Sequence, residues 1–170
     1  MGQSQRSFLA KFKDEFCSRV SSDVTWSGGQ VSKNTASLRP NPALRRGGQV
    51  RHGEAFELGD LRCDYAGHTV IVEYDSGSVS VPNLLKYWLY VRGDLKKKPT
   101  LPIVLCHFSN WGSYGSYRDL WQWTLERIKE DPLIESEFMA RQFDHGQGDA
   151  IGDALKWIVS SAGDMLRAHG

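Results

Sequence analysis

Asp60, Asp64, Glu73 and Asp75 lie close together in a segment that reads as two strands joined by a tight turn. The run Thr69-Val-Ile-Val72 is β-branched and apolar, which predicts a strand buried on both faces. That strand continues into Glu73 and Asp75, whose side chains point to one face because strand residues alternate with period two. Burying carboxylates on a central strand is costly unless they are compensated, and a divalent cation is the usual compensation. These residue types at this spacing therefore predict a metal site.

Register decides which acids share it. A two-residue turn at Ala66-Gly67 sets Asp60 directly across from Glu73. A turn at Gly67-His68 sets Arg62 there instead, with Asp60 and Asp64 on the diagonals, still within reach of long side chains or a shared ion. Both alternatives stand at this point.

The elements that must position these groups follow from periodicity. Phe8, Leu9, Phe12, Phe16 and Val20 give residues 5–20 a helical stripe. Residues 21–53 are rich in Gly, Ser, Asn, Pro and Arg, with short strands expected only at 24–26 and 49–51. The hairpin over 55–65 and 69–75 comes next. Pro82 suits a first helical turn, with Leu84, Leu85, Trp88, Leu89 and Val91 as the apolar stripe. A buried strand over 101–108, a helix over 115–129, a strand over 138–143 and a helix over 150–168 complete the chain. Tyr117, Leu120, Trp121, Trp123, Thr124 and Ile128 form the stripe of the third helix, which predicts core packing for its aromatics. The order implies one α/β domain over 1–170, a mixed sheet with helices on both sides.

Composition sets outer bounds. At 40% apolar and 24% charged the chain matches an ordinary globular protein. No apolar run is long enough to span a membrane, and the polar start lacks a signal-peptide core, so a cytoplasmic location is expected. Cys17, Cys63 and Cys106 are odd in number and sit in apolar patterns, which predicts buried free thiols and no zinc site. The net charge of +1 conceals an asymmetry: residues 1–53 carry nine Lys/Arg against three Asp/Glu (+6), the remainder twelve against seventeen (−5). A basic first third points to a polyanion contact. Among the histidines, His107 ends a buried strand and reads as a satisfied core residue. Glu15 reads as an intrahelical partner of Arg19.

The element order and the acids on the meander resemble the PD-(D/E)xK nuclease superfamily, the restriction-endonuclease-like fold. The resemblance covers most of residues 5–108, as an α-β-β-β-α-β core followed by α-β-α. It implies that Asp64 and Glu73-x-Asp75 hold Mg²⁺, with Mn²⁺ as a substitute, and the spacing in that family favours Asp64 over Asp60 as the partner of Glu73. The family's lysine position holds Asp75 here. In some members the lysine has moved to the following helix, where Lys86 in Asn83-Leu-Leu-Lys-Tyr-Trp88 is the candidate. The resemblance thus implies Asp64, Glu73, Asp75 and Lys86 as catalytic residues and Asp64, Glu73 and alternatively Asp60 as metal ligands.

The expected activity is metal-dependent hydrolysis of DNA phosphodiester bonds, most simply as an endonuclease, with RNA also open. Arg39, Arg45, Arg46 and Arg51, together with Lys96, Lys97 and Lys98, would contact phosphates. Cutting both strands of a duplex calls for a homodimer. Two other readings compete: a nucleic-acid-binding or assembly protein that kept the fold without the chemistry, and a metal-dependent hydrolase acting on another substrate.

Overall fold

The computed structural model describes residues 2–28, 35–37, 45–46, 49–50, 55–95, 97–113, 115–134 and 136–168, without the side chains of 35–37, 45–46, 49–50, 55–56 and 162–168. Helix α1 (Gln3–Arg19) opens the chain, followed by the short strands β1 (Ser27–Gly28), β2 (Thr35–Ser37), β3 (Arg45–Arg46), β4 (Gln49–Val50) and β5 (Ala55–Glu57). Then come β6 (Leu61–Tyr65), β7 (His68–Tyr74), α2 (Val81–Val91), β8 (Ile103–Ser109), α3 (Arg118–Lys129), β9 (Phe138–Asp144) and α4 (Ala150–Ala168).

The main sheet has five strands in the order β1-β6-β7-β8-β9. Its first three strands form an antiparallel meander, whereas β7, β8 and β9 run parallel through the α2 and α3 crossovers. The expected α/β class with a mixed sheet is the one observed. Strands 55–65 divide in two, because residues 58–60 leave the β5 line before β6 begins.

Alternation sorts the core into two layers. Val70 and Val72 of β7, and Val104, Cys106 and Phe108 of β8, pack with Leu9, Phe12 and Phe16 of α1 and Ile151, Leu155 and Ile158 of α4. Ile71 of β7, and Ile103 and Leu105 of β8, pack on the other face with Leu84 and Tyr87 of α2 and Trp121, Leu125 and Ile128 of α3. Helices therefore cover both sides, and β7 and β8 are buried almost throughout, as their unbroken apolar runs require.

The helical stripes differ in phase from the expected ones. α2 buries Leu84, Lys86, Tyr87, Tyr90 and Val91, and leaves Leu85 exposed. A period of 3.6 accommodates either Leu84–Leu85–Trp88 or Leu84–Tyr87–Val91 as a stripe, and contact with β7 selects the second. In α3, Trp121 and Ile128 are core, while Tyr117, Leu120 and Trp123 are half-exposed or more, which corrects the expectation of core packing for them.

The hairpin turn is the two-residue one. Tyr65 pairs with His68, and Ala66 and Gly67 have φ of +49° and +77°. Positive φ at both central positions is the type I′ pattern, whose twist suits adjacent antiparallel strands. No described helix is long and apolar enough to cross a membrane.

Candidate active site

The Ala66–Gly67 turn carries its consequence to the far end of the hairpin. Leu61 pairs with Val72, and the Asp60 N–H donates to Val72 O at 2.9 Å, so Asp60 comes alongside Glu73. Asp64 lies near the turn, across from Thr69, whose hydroxyl donates to Asp64 Oδ1 at 2.8 Å. Asp64 lies four positions along the chain from Asp60, about 13 Å at the usual strand rise. The structure thus brings Asp60, not Asp64, to Glu73.

Glu73 is 4% exposed and faces α2. Its Oε1 accepts from the Gly59 N–H at 3.1 Å, from the Tyr87 hydroxyl, and from Lys86 Nζ at 2.6 Å. Oε2 takes none of these bonds. Gly59 is required for this approach: its φ is +88°, and a Cβ there would meet Ile71 Cγ2 at 2.6 Å. Burial and the Glu73 charge push the Tyr87 hydroxyl well above its ordinary pKa, so it stays a donor.

Lys86 enters from α2, 8% exposed, and its ammonium meets Glu73 Oε1. Its second contact is Asn83 Oδ1, at 3.3 Å.

Asp60 accepts from Gln5 Nε2 at 2.9 Å through Oδ1 and from the Tyr74 N–H at 2.8 Å through Oδ2. Desolvation and then the neighbouring Glu73 charge raise its pKa to about 6, against those two hydrogen bonds and the Lys86 charge. Gln5, Asp60, Glu73, Asp75, Asn83 and Lys86 line one open cleft of ≈ 390 Å³.

Asp75 is engaged otherwise than expected. His107 Nε2 lies 2.7 Å from Oδ2, the Ser80 N–H donates to Oδ2 at 2.7 Å, and Asn83 Nδ2 donates to Oδ1 at 3.3 Å. These contacts tie it to β8 and to the start of α2. His107 is fully buried, as expected of a satisfied core residue, but its partner is a site residue. Glu15 pairs with Arg19 within α1 at 2.9 Å.

Of the predicted basic residues, the two whose side chains are described, Lys97 and Lys98, are not brought to this cleft. Lys97 and Lys98 are exposed in the loop leading to Ile103, and Ile103 pairs with Thr69 at the opposite end of β7 from Glu73. Arg45 and Arg46 pair through their backbones with Val50 and Gln49, and their side chains lie outside the described residues, as do Arg39, Arg51 and Lys96.

Among the described residues no group of three or more His, Cys, Asp or Glu side chains is placed to hold a metal ion. The donors present do fit a hydrated Mg²⁺ or Mn²⁺. Asp60 and Glu73 supply hard oxygen ligands, such an ion keeps several waters, and the mutual repulsion that raises Asp60 is what a dication relieves. Sequence reasoning missed Gln5, Gly59 and Tyr87 altogether. Their only sequence signals are a glycine next to an acid and a tyrosine in phase with Leu84 and Val91. No family model, no curated protein and no solved structure matches this chain.

Proposed function

We propose that the protein is a metal-dependent nuclease that hydrolyses DNA phosphodiester bonds, with Asp60, Glu73 and Lys86 as its working residues. One observation carries this reading. A buried lysine ammonium sits 2.6 Å from a strand carboxylate, with a second carboxylate beside it just ahead of the neighbouring strand, all open to one cleft. The mixed five-stranded sheet, with helix–meander–helix–strand order, also supports it.

A Mg²⁺ or Mn²⁺ ion held by Asp60 and Glu73 would make a water more acidic and neutralise phosphate charge. The chain supplies the rest. An ammonium has three N–H donors. Lys86 gives one to Glu73 and one to Asn83, which leaves the remaining one for a phosphate oxygen in the cleft. Gln5 and the Tyr74 N–H hold Asp60 in place, while Gly59 and Tyr87 hold Glu73. In the reaction a water oxygen bonds to phosphorus and its proton passes to solvent, the ester P–O bond breaks, and the leaving oxygen takes a proton from solvent. Arg45 and Arg46 would add sequence-independent phosphate contacts, and a double-strand cut would use a homodimer.

A second reading is favoured by one feature: Glu73 Oε1 is already satisfied by three donors, so the fold could bind nucleic acid without cutting it. The deciding experiment is nicking of supercoiled and linear DNA with Mg²⁺, Mn²⁺ or EDTA, comparing wild type with Glu73→Ala. Metal-dependent cutting abolished by the substitution is expected. A folded wild-type protein that binds DNA salt-sensitively but cuts neither DNA nor RNA would overturn the nuclease reading in favour of the second.

A further inference from the structure

Asp75 occupies the position at which the resemblance leads one to expect a lysine, yet every hydrogen bond of its carboxylate is with a donor of the fold. The chain of these contacts continues in both directions. Trp121 Nε1 donates to His107 Nδ1 at 3.0 Å. An indole N–H only donates, so Nδ1 must be the unprotonated nitrogen and Nε2 carries the hydrogen given to Asp75 Oδ2. On the other side Asn83 gives Nδ2–H to Asp75 Oδ1 and accepts from Lys86 Nζ through Oδ1. Its orientation is dictated by the partners: a carboxylate only accepts and an ammonium only donates. Lys86 then donates to Glu73.

We propose that Asp75 is a positioning residue for Lys86: an unbroken hydrogen-bond line from Trp121 through His107, Asp75 and Asn83 holds the lysine ammonium on Glu73. The inference rests on the nuclease reading for its functional meaning, but its geometry stands apart from it. Asp75 also fixes the start of the helix that carries the lysine. α2 has no side-chain cap and no acid in its first turn, and the Ser80 N–H is satisfied by Asp75 Oδ2. The acid at this position therefore replaces a strand lysine indirectly, by anchoring the helix that brings one. The polarity alternates along the line, so each residue type is specified by its neighbour. His107 converts the indole donor into a donor facing Asp75, and Asn83 joins an acceptor to a donor.

The test exchanges that polarity. In D75N the introduced amide needs its oxygen for His107 and Ser80, so its NH₂ faces the Asn83 NH₂. Turning Asn83 over would aim the NH₂ at the Lys86 ammonium. N83D sets two carboxylates against each other. In the double variant D75N/N83D the amide and carboxylate are exchanged, and the line closes again. The primary readout is the ¹⁵N-detected side-chain ammonium resonance of Lys86, assigned by its loss in Lys86→Gln. It is expected to weaken in each single variant and to return in the double. DNA nicking should fall about 10²-fold in kcat in the singles, the scale for a misplaced catalytic group, with KM little changed, and recover in the double.

A Lys86 resonance unchanged in D75N, or not restored in the folded double variant, would overturn the proposal. So would D75N losing Mn²⁺ affinity while keeping that resonance, the result expected of a metal ligand. Should the variants not fold, the wild-type protein still decides: ¹⁵N shifts must show His107 as the neutral Nε2–H tautomer, and an Nδ1–H tautomer breaks the line. If the wild type cuts nothing, the nuclease reading fails while the two NMR readouts still judge the relay.

Discussion

Lys86 meets Glu73 across two elements as a buried ion pair, Nζ to Oε1 at 2.6 Å, with the two side chains only 9% and 5% exposed. A pair this secluded is weak evidence of net stabilisation, because each ion has lost its water. Removing one partner is another matter, since it strands the other charge. Glu73→Gln and Lys86→Met should each cost about 3–5 kcal/mol. The double variant should cost much less than their sum, because neither charge of the pair is left stranded. Urea denaturation of all three checks this, and additive losses would show that the two side chains do not interact.

Asp60 links the site to pH. Its folded pKa of about 6 lies above the ordinary 3.8, so between these values the folded protein holds a proton that the unfolded chain has released. Stability contributed here is present at low pH and is lost as pH rises towards and through about 6. Asp60→Asn should flatten that decline, and Gln5 can turn its amide to meet the new NH₂. Metal binding has the opposite sign, because the ligand must be ionised. Mg²⁺ should therefore raise the melting temperature above about pH 6 and much less below it, with no rise in Asp60→Asn. Thermal melts across that range, with and without Mg²⁺, test both statements. An equal Mg²⁺ effect on either side of pH 6 would remove Asp60 from the site.

The basic segment predicts a signature in binding rather than in chemistry. Each phosphate contact contributes about −0.9 to the slope of log K against log salt on duplex DNA. Neutralising Arg45 and Arg46 together should flatten the slope by up to about 2 and weaken binding to all sequences alike. Lys97→Ala/Lys98→Ala, at the sheet end away from Glu73, provides the comparison. Fluorescence anisotropy over a salt series reads both. An unchanged slope in the arginine variant would take these residues out of the interface.

Much of this architecture was legible because it is written in local periodicity. The β-branched run Thr69–Val72 predicted a strand buried on both faces, and β7 is one. Buried thiols at Cys63 and Cys106 and the Glu15–Arg19 pair likewise depend on near neighbours. Cys17 is less deeply placed. Strand alternation narrowed the neighbour of Glu73 to Asp60 or Asp64, whereas Lys86 was singled out only by the resemblance to the nuclease superfamily.

Choosing between those acids needed the fold. Ala66 takes a positive φ that an alanine does not favour, so local preference argues against the turn that is used. The register is decided along the strand instead. Leu61 and Cys63 must face the α1 and α4 layer, and a slip by one residue would turn both to the other face. The phase of α2 is a similar case, because two apolar stripes are available in its sequence and only packing on β7 turns Lys86 inward. Gln5, His107 and Trp121 meet Asp60 and Asp75 from 55, 32 and, through His107, 14 residues away. Hydrogen bonds over such separations leave no periodic trace. Local periodicity was enough to place the long helices and the strands over 69–75, 101–108 and 138–143, and to mark which residues can carry charge into the interior. It put a short strand at 24–26 where none forms and passed over those at 35–37 and 45–46. Tertiary packing decided which of those charges meet, because register and helix phase are set by long-range burial and not by any local preference.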